Sequence, residues 1–143
     1  MYDRILVPTD GESMDRVYDH ALDIASQRGA TVHLLYVVDD RAFLTLDERM
    51  RDDVLAELES EGASATTSAT DRFAAADVET VTATARGDPA DEILAYAEAN
   101  DVDLVVMGTR RRNYRESMVG SVSQKVIARS DAPVLTVGLA DEE

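Results

Sequence analysis

Apolar residues recur in two rhythms along the chain. Tyr2 to Thr9, Thr31 to Val38, Val102 to Met107 and Pro133 to Val137 hold short, nearly unbroken apolar runs, the pattern of strands buried on both faces. Between them the spacing widens to three and four residues. Met14, Val17, Tyr18, Ala21, Leu22 and Ala25 mark one face of a helix over Glu12 to Arg28, stopped by Gly29. Leu46, Met50, Val54, Leu58, Gly62, Ala65, Ala69 and Phe73 predict one long helix or two joined, with Gly62 a weak point in its middle. Val78 to Ala85 alternates more mildly, as a strand at a sheet edge would. Gly87-Asp88-Pro89 opens a further helix: Asp88 caps, Pro89 fits the first turn, and Ile93, Leu94 and Ala97 face inward as far as Asn100. A last helix over Ser121 to Arg129 turns Val122, Val126 and Ile127 to the core.

Strands alternating with helices pair in parallel through right-handed crossovers, which predicts an α/β fold, a doubly wound five-stranded sheet in the order 3-2-1-4-5 with helices on both faces. We expect one domain over residues 1–143. Such sheets take ligands outside the carboxyl ends of the strands, where the winding reverses. Here that place lies between the strands ending at Thr9 and Met107, with Val37 and Val38 beside it.

Chemistry gathers at the same place. Asp10 follows the first strand, and its carboxylate either accepts from an amino or hydroxyl group of a ligand or forms a turn with Gly11. Gly108 reads as the end of the fourth strand, followed by a loop to Val119 in which Arg110, Arg111, Arg112 and Arg115 cluster. Guanidinium groups fork onto phosphate oxygens, so the cluster suits an anion; equally it suits a solvated loop or pairing with the protein's own carboxylates. Ser121 stands at a helix start, where a cap and a bound anion use the same unpaired N–H groups.

Charge and composition narrow the classes. The formal net charge is −15, with 29 acidic residues against 13 arginines and the single Lys125, which disfavours nucleic acid as a partner. A saline cytoplasm accounts for it: the screening length is about 3 Å at 1 M salt, so crowded carboxylates repel little while keeping the chain hydrated. We therefore expect a halophilic source. Asp3, Arg4 and Asp10 interrupt any leader-like stretch and no apolar run is long enough for a membrane span, giving a cytoplasmic expectation without membrane partners. The absence of cysteine excludes disulfides, thiolate nucleophiles and cysteine metal sites. His20 and His33, one on a helical pattern and one on a strand pattern, read as isolated residues rather than a metal pair, and no metal ligands are assigned. No nucleophile and base pair is recognisable, so the expectation is a binding protein, with at most slow hydrolysis of ATP.

The chain resembles the universal stress protein family, the small α/β proteins similar to the bacterial UspA domain. Ile5-Leu6-Val7-Pro8-Thr9-Asp10-Gly11, Gly87-Asp88-Pro89, Leu104-Val105-Val106-Met107-Gly108-Thr109, Gly120-Ser121-Val122 and Ala132-Pro133-Val134 carry the resemblance in order. It implies a cytoplasmic stress-response protein binding an adenine nucleotide, ATP or another, with magnesium on its phosphates as an open alternative. By resemblance Asp10 hydrogen-bonds the adenine, Pro8, Thr9 and Val37 line the base, and Gly108, Gly120, Ser121 and Val122 approach ribose and phosphates; Met107 at the strand end and Arg110 and Arg111 of the arginine cluster complete the candidate site. The ATP-binding branch carries Gly-x2-Gly-x9-Gly-Ser/Thr. Here Arg111 replaces the middle glycine, and only eight residues separate it from Gly120. The base half matches and the phosphate half departs, which keeps a nucleotide-independent dimeric interaction protein as the alternative. The open backbone edge of Pro133 to Val137 predicts a homodimer through the last strand, the antiparallel contact that the resemblance also implies.

Overall fold

In a computed structural model describing residues 1–9, 14–110 and 118–139, the strands are β1 (Arg4–Thr9), β2 (Thr31–Val38), β3 (Thr80–Arg86), β4 (Leu104–Arg110) and β5 (Val134–Leu139). They form one all-parallel sheet in the order β3-β2-β1-β4-β5. The helices are α1 (Asp15–Arg28), α2 (Glu48–Ala74), α3 (Pro89–Ala99) and α4 (Met118–Arg129), with a 3-10 turn at Arg41–Phe43 between β2 and α2. The expected fold class and strand order are those observed, and the mildly apolar β3 lies at an edge.

Alternation along each strand sorts the core into two layers. Ile5, Val7, Val32, Leu34, Leu104 and Val106 pack with Val17, Ala21 and Phe73 of α1 and α2. Leu6, Leu35, Val105 and Met107 pack on the opposite face with Ile93 of α3 and Val126 of α4.

Local signals set the element ends. Gly29 takes φ 67°, and Ala30 N–H reaches back to the Ala25 carbonyl at 3.0 Å, closing α1 in a left-handed turn that glycine adopts without strain. Asp88 accepts from Asp91 N–H at 3.1 Å ahead of Pro89, so the capping expected there is the capping found.

Four expectations need correction. The buried face of α2 is Leu55, Gly62, Thr66, Ala69 and Phe73, and Met50 is 56% exposed. Steps of four residues overrun a turn of 3.6, so the three in succession from Met50 to Gly62 rotate the stripe by roughly 120° and carry its start off the sheet. Ile127 is 52% exposed; Val126 and, in part, Val122 face inward as expected, and Ser123 is buried where Ile127 was expected to be. Gly108 does not end β4, which continues to Arg110 with Gly108 paired to Val137.

Gly62 is not a weak point either. A β-carbon there would collide with the ring of Tyr36 from β2, so glycine lets helix and strand approach. At the sheet edge Arg86 of β3 forks onto Glu59 of α2, Nε to Oε2 at 2.6 Å and Nη2 to Oε1 at 3.0 Å.

Candidate functional site

Backbone polarity alternates along β1 and decides where the sheet stays open. Odd positions face β2, as the Asp3 carbonyl accepting from Thr31 N–H at 2.9 Å shows, and even positions face β4, as the Arg4 carbonyl accepting from Asp103 N–H at 2.8 Å shows. After Leu6 the next donor toward β4 would come from residue 8. Pro8 has none. The β1–β4 ladder accordingly ends after Ile5↔Leu104 and Leu6↔Val105, while β1 continues along β2 to Thr9↔Tyr36 and β4 along β5 to Arg110↔Leu139. The sheet forks at its carboxyl end, at the topological switch point where ligands enter such folds.

On the near side of the fork, β2 outruns β1. Val37 and Val38 keep β3 as neighbour through Val37↔Ala85 and Val38↔Arg86, beyond the last β1 pair among the described residues. Even residues of β2 address β3: Val32 N–H donates to the Glu79 carbonyl at 2.9 Å, and the Val38 carbonyl accepts from Gly87 N–H at 3.0 Å. Val37 has the opposite parity, so its backbone groups face β1: the step that puts Thr31 N–H on the Asp3 carbonyl puts Val37 N–H on the Thr9 carbonyl, and the Val37 carbonyl lies past the last described β1 residue, on the fork side.

Among the residues singled out from the sequence, Pro8, Val37, Met107 and Gly108 stand on the strands around the fork, and Val122 lies in the first turns of α4 against the Met107 layer. Thr9 ends β1 beside the fork with its backbone groups turned to β2; its hydroxyl lies 2.6 Å from the Tyr18 hydroxyl of α1. Asp10 and Arg111 lie outside the described residues. So do the side chains of Arg110, Gly120 and Ser121, whose backbones belong to β4 and α4. The helix begins at Met118, three residues ahead of the expected Ser121.

Sequence reading missed the charged cluster beside Val37. Arg41, in the 3-10 turn after β2, gives Nε and Nη2 to the two oxygens of Asp39 at 2.8 and 2.7 Å, and Nη1 to Asp88 Oδ2 at 2.6 Å. Asp88 meanwhile caps α3 through its other oxygen. The guanidinium hydrogen bonds hold the Asp39 carboxyl below its ordinary range. Asp88 is lowered first by the Asp91 N–H, then by the charges of Arg41 and of Lys125 on α4. A lone arginine between pattern-bearing segments gave no signal; only the fold brings residues 39, 41 and 88 together.

At the other end of the sheet, His33 is 8% exposed and its Nδ1 lies 2.7 Å from the Tyr96 hydroxyl. Burial, aided by the charge of Arg4, lowers its pKa. His20 is exposed on α1, so the two histidines play separate roles. Asp103 Oδ2 accepts from Asp3 and Arg4 N–H at 2.8 and 3.0 Å and pins the start of β1 to β4. A groove of about 500 Å³ between the ends of α3 and α4 is lined by Leu94, Glu98, Asp101, Arg129 and Asp131, and its arginine is already paired with Asp91 at 2.8 Å. Among the described residues no three carboxylate or imidazole groups gather as metal ligands, and no helix is long and apolar enough to cross a membrane.

Comparison with known proteins adds a family. The model of the universal stress protein family matches residues 1–138. A universal stress protein of Methanothermobacter thermautotrophicus is 38% identical over 130 residues, 89% of either chain. The YxiE universal stress protein of Bacillus subtilis is 33% identical over 147 residues, covering 96% of this chain and 99% of its own. The solved structure of a Methanocaldococcus jannaschii protein matches with a TM-score of 0.86 at 28% identity over 99% of each chain. Two further structures share the fold: a universal stress protein in complex with cAMP, at 23% identity and a TM-score of 0.68 over 97% of this chain and 98% of that one, and one from Archaeoglobus fulgidus in complex with dAMP, at 22% and 0.70 over 94% and 97%.

Proposed function

The chain belongs to the universal stress protein family, and from that premise we propose that it is a stress-response protein that binds an adenine nucleotide in the fork between β1 and β4. The observation that carries the reading is the fork itself with the Val37 backbone edge beside it. An adenine edge offers an amino donor, and the Val37 carbonyl beyond the Thr9↔Tyr36 pair is an acceptor for it. Pro8 and Met107 supply apolar surface for the ring. Asp10, which follows Thr9 directly, is assigned to the adenine as a hydrogen-bond acceptor.

The phosphates are assigned to the start of α4, where the unpaired N–H groups and the helix dipole favour an anion. Gly120 and Ser121 fall in that first turn. Arg110 and Arg111 would supply charge where the family motif has backbone, with magnesium on the phosphates as the accompanying ion. Two proteins of this fold hold cAMP and dAMP; at their identities they speak for the fold, and the geometry of the fork speaks for the ligand. The reading is of binding rather than turnover.

The second reading, a dimeric protein that works without nucleotide, is favoured by Leu135, 36% exposed on the edge strand β5. A second copy pairing along β5 would cover it. Calorimetry with ATP, ADP and AMP in molar potassium chloride separates the two. Binding that falls about tenfold or more in Asp10→Ala and in Arg111→Ala is expected, the size of one lost charge-assisted contact. No heat from any of the three nucleotides would remove the nucleotide reading and leave the dimer.

A further inference from the structure

Among the described residues β1 pairs with β2 no further than Thr9↔Tyr36, while β2 runs on to Val38 beside β3, and it is this overhang that presents the Val37 carbonyl to the fork. A strand end held on one side frays unless something fixes the chain that follows it. Gly87 N–H on the Val38 carbonyl is one tie. The other is Arg41, whose three nitrogens bind Asp39, the first residue after β2, and Asp88, the cap of α3. One side chain thus joins the strand end, the 3-10 turn and the start of a helix.

We infer that Arg41 is a positioning residue for the base end of the site: by clamping Asp39 to Asp88 it holds the Val37 backbone in the geometry that reads the ligand. The inference rests on the nucleotide reading above. Arg41 is 44% exposed, and ion pairs at such sites contribute little to global stability. What the fork-shaped, bridging contact supplies is direction. Lysine, a point charge, cannot reproduce it.

The test uses the intact chain and its Arg41→Ala, Arg41→Lys and Asp88→Asn variants in molar potassium chloride; asparagine still caps α3 but removes one anchor of the clamp. Affinities for AMP and ATP are measured by calorimetry, and hydrogen exchange is followed in the ligand-free proteins. Arg41→Ala is expected to weaken AMP and ATP by the same factor, about tenfold, since lost preorganisation is felt by every ligand that uses the base site. Exchange should quicken from Val38 to Phe43, with the melting temperature little changed. Arg41→Lys and Asp88→Asn should lie between it and the natural chain. Unchanged affinity for both nucleotides overturns the inference while leaving the binding reading intact. Weakened affinity without faster exchange, or a loss confined to ATP, also overturns it, because Arg41 would then touch the ligand rather than position the strand. A natural chain that binds neither nucleotide takes down the reading and the inference together.

Discussion

Replacing Gly62 by alanine tests how α2 and β2 are fitted to one another. On an open helix surface the change would stabilise, since glycine costs about 1 kcal/mol relative to alanine. Here the added methyl would meet Cδ1, Cγ and Cε1 of Tyr36. Those atoms belong to the root and body of a ring on a central strand, not to the tip of a mobile side chain, so relief requires the helix or the strand to move. Overpacking of this kind costs about 1–3 kcal/mol, which exceeds the propensity gain over most of its range. The expected net effect is a loss of up to about 2 kcal/mol, or up to roughly 8 °C in melting temperature for a chain of this size. Urea titration in molar potassium chloride measures it, with Ser60→Ala, exposed on the same helix, as the control that should be neutral or stabilising. In a Tyr36→Ala background the cost of Gly62→Ala should vanish, and the four proteins form a double-mutant cycle. A Gly62→Ala protein more stable than the natural chain would refute the packing argument. Tyr36 is also the last β2 residue paired with β1, immediately before Val37.

Two further outcomes follow from the same coordinates. His33 has a folded pKa below its ordinary 6.5, so as the pH falls the unfolded chain takes up its proton first. Its contribution to stability is therefore full above about 6.5 and declines below it. Asp39, Asp88 and Glu59 are also lowered, from ordinary values of 3.8, 3.8 and 4.5, and their contributions fade only at more acid pH. Melts at pH 7.5 and 5.5 should show a drop that His33→Gln reduces; equal drops in both proteins would contradict the assignment. For the proposed β5 dimer, Leu135→Asp should lower the association constant in sedimentation equilibrium at molar salt, and a natural chain that sediments as a monomer at micromolar concentration would rule the dimer out.

Much of the architecture was legible in the sequence because its signals are local. Buried parallel strands announce themselves as apolar runs, Gly29 and Asp88-Pro89 mark helix ends by backbone chemistry, and alternation of strand and helix restricts the topology. What stayed hidden was relational. The face of α2 depends on where Tyr36 meets it, so a repeat of four-residue steps pointed the first half of the helix wrongly. Gly108 carries the look of a turn but sits in β4, because β5 extends to Leu139 and keeps pairing with it. At the candidate site topology pointed to the ends of the first and fourth strands with Val37 beside them, while Pro8 was drawn in by the resemblance to the family. The Asp39–Arg41–Asp88 cluster was not, since no periodicity or motif links a turn after the second strand to a cap after the third.

Pro8 also changes what kind of opening this is. Adjacent parallel strands zip together for as long as both supply donors and acceptors, so a gap between two of them normally requires a bulky wedge or a bulge. In this sheet the stop is a single missing hydrogen. It occupies no volume, leaves the side-chain positions on both walls available for other uses, and keeps its place when neighbouring residues are exchanged. The hydrogen-bond stop is thereby independent of the side chains beside it: what ends the pairing of β1 with β4 is the backbone of one imino acid, whichever residues line the mouth.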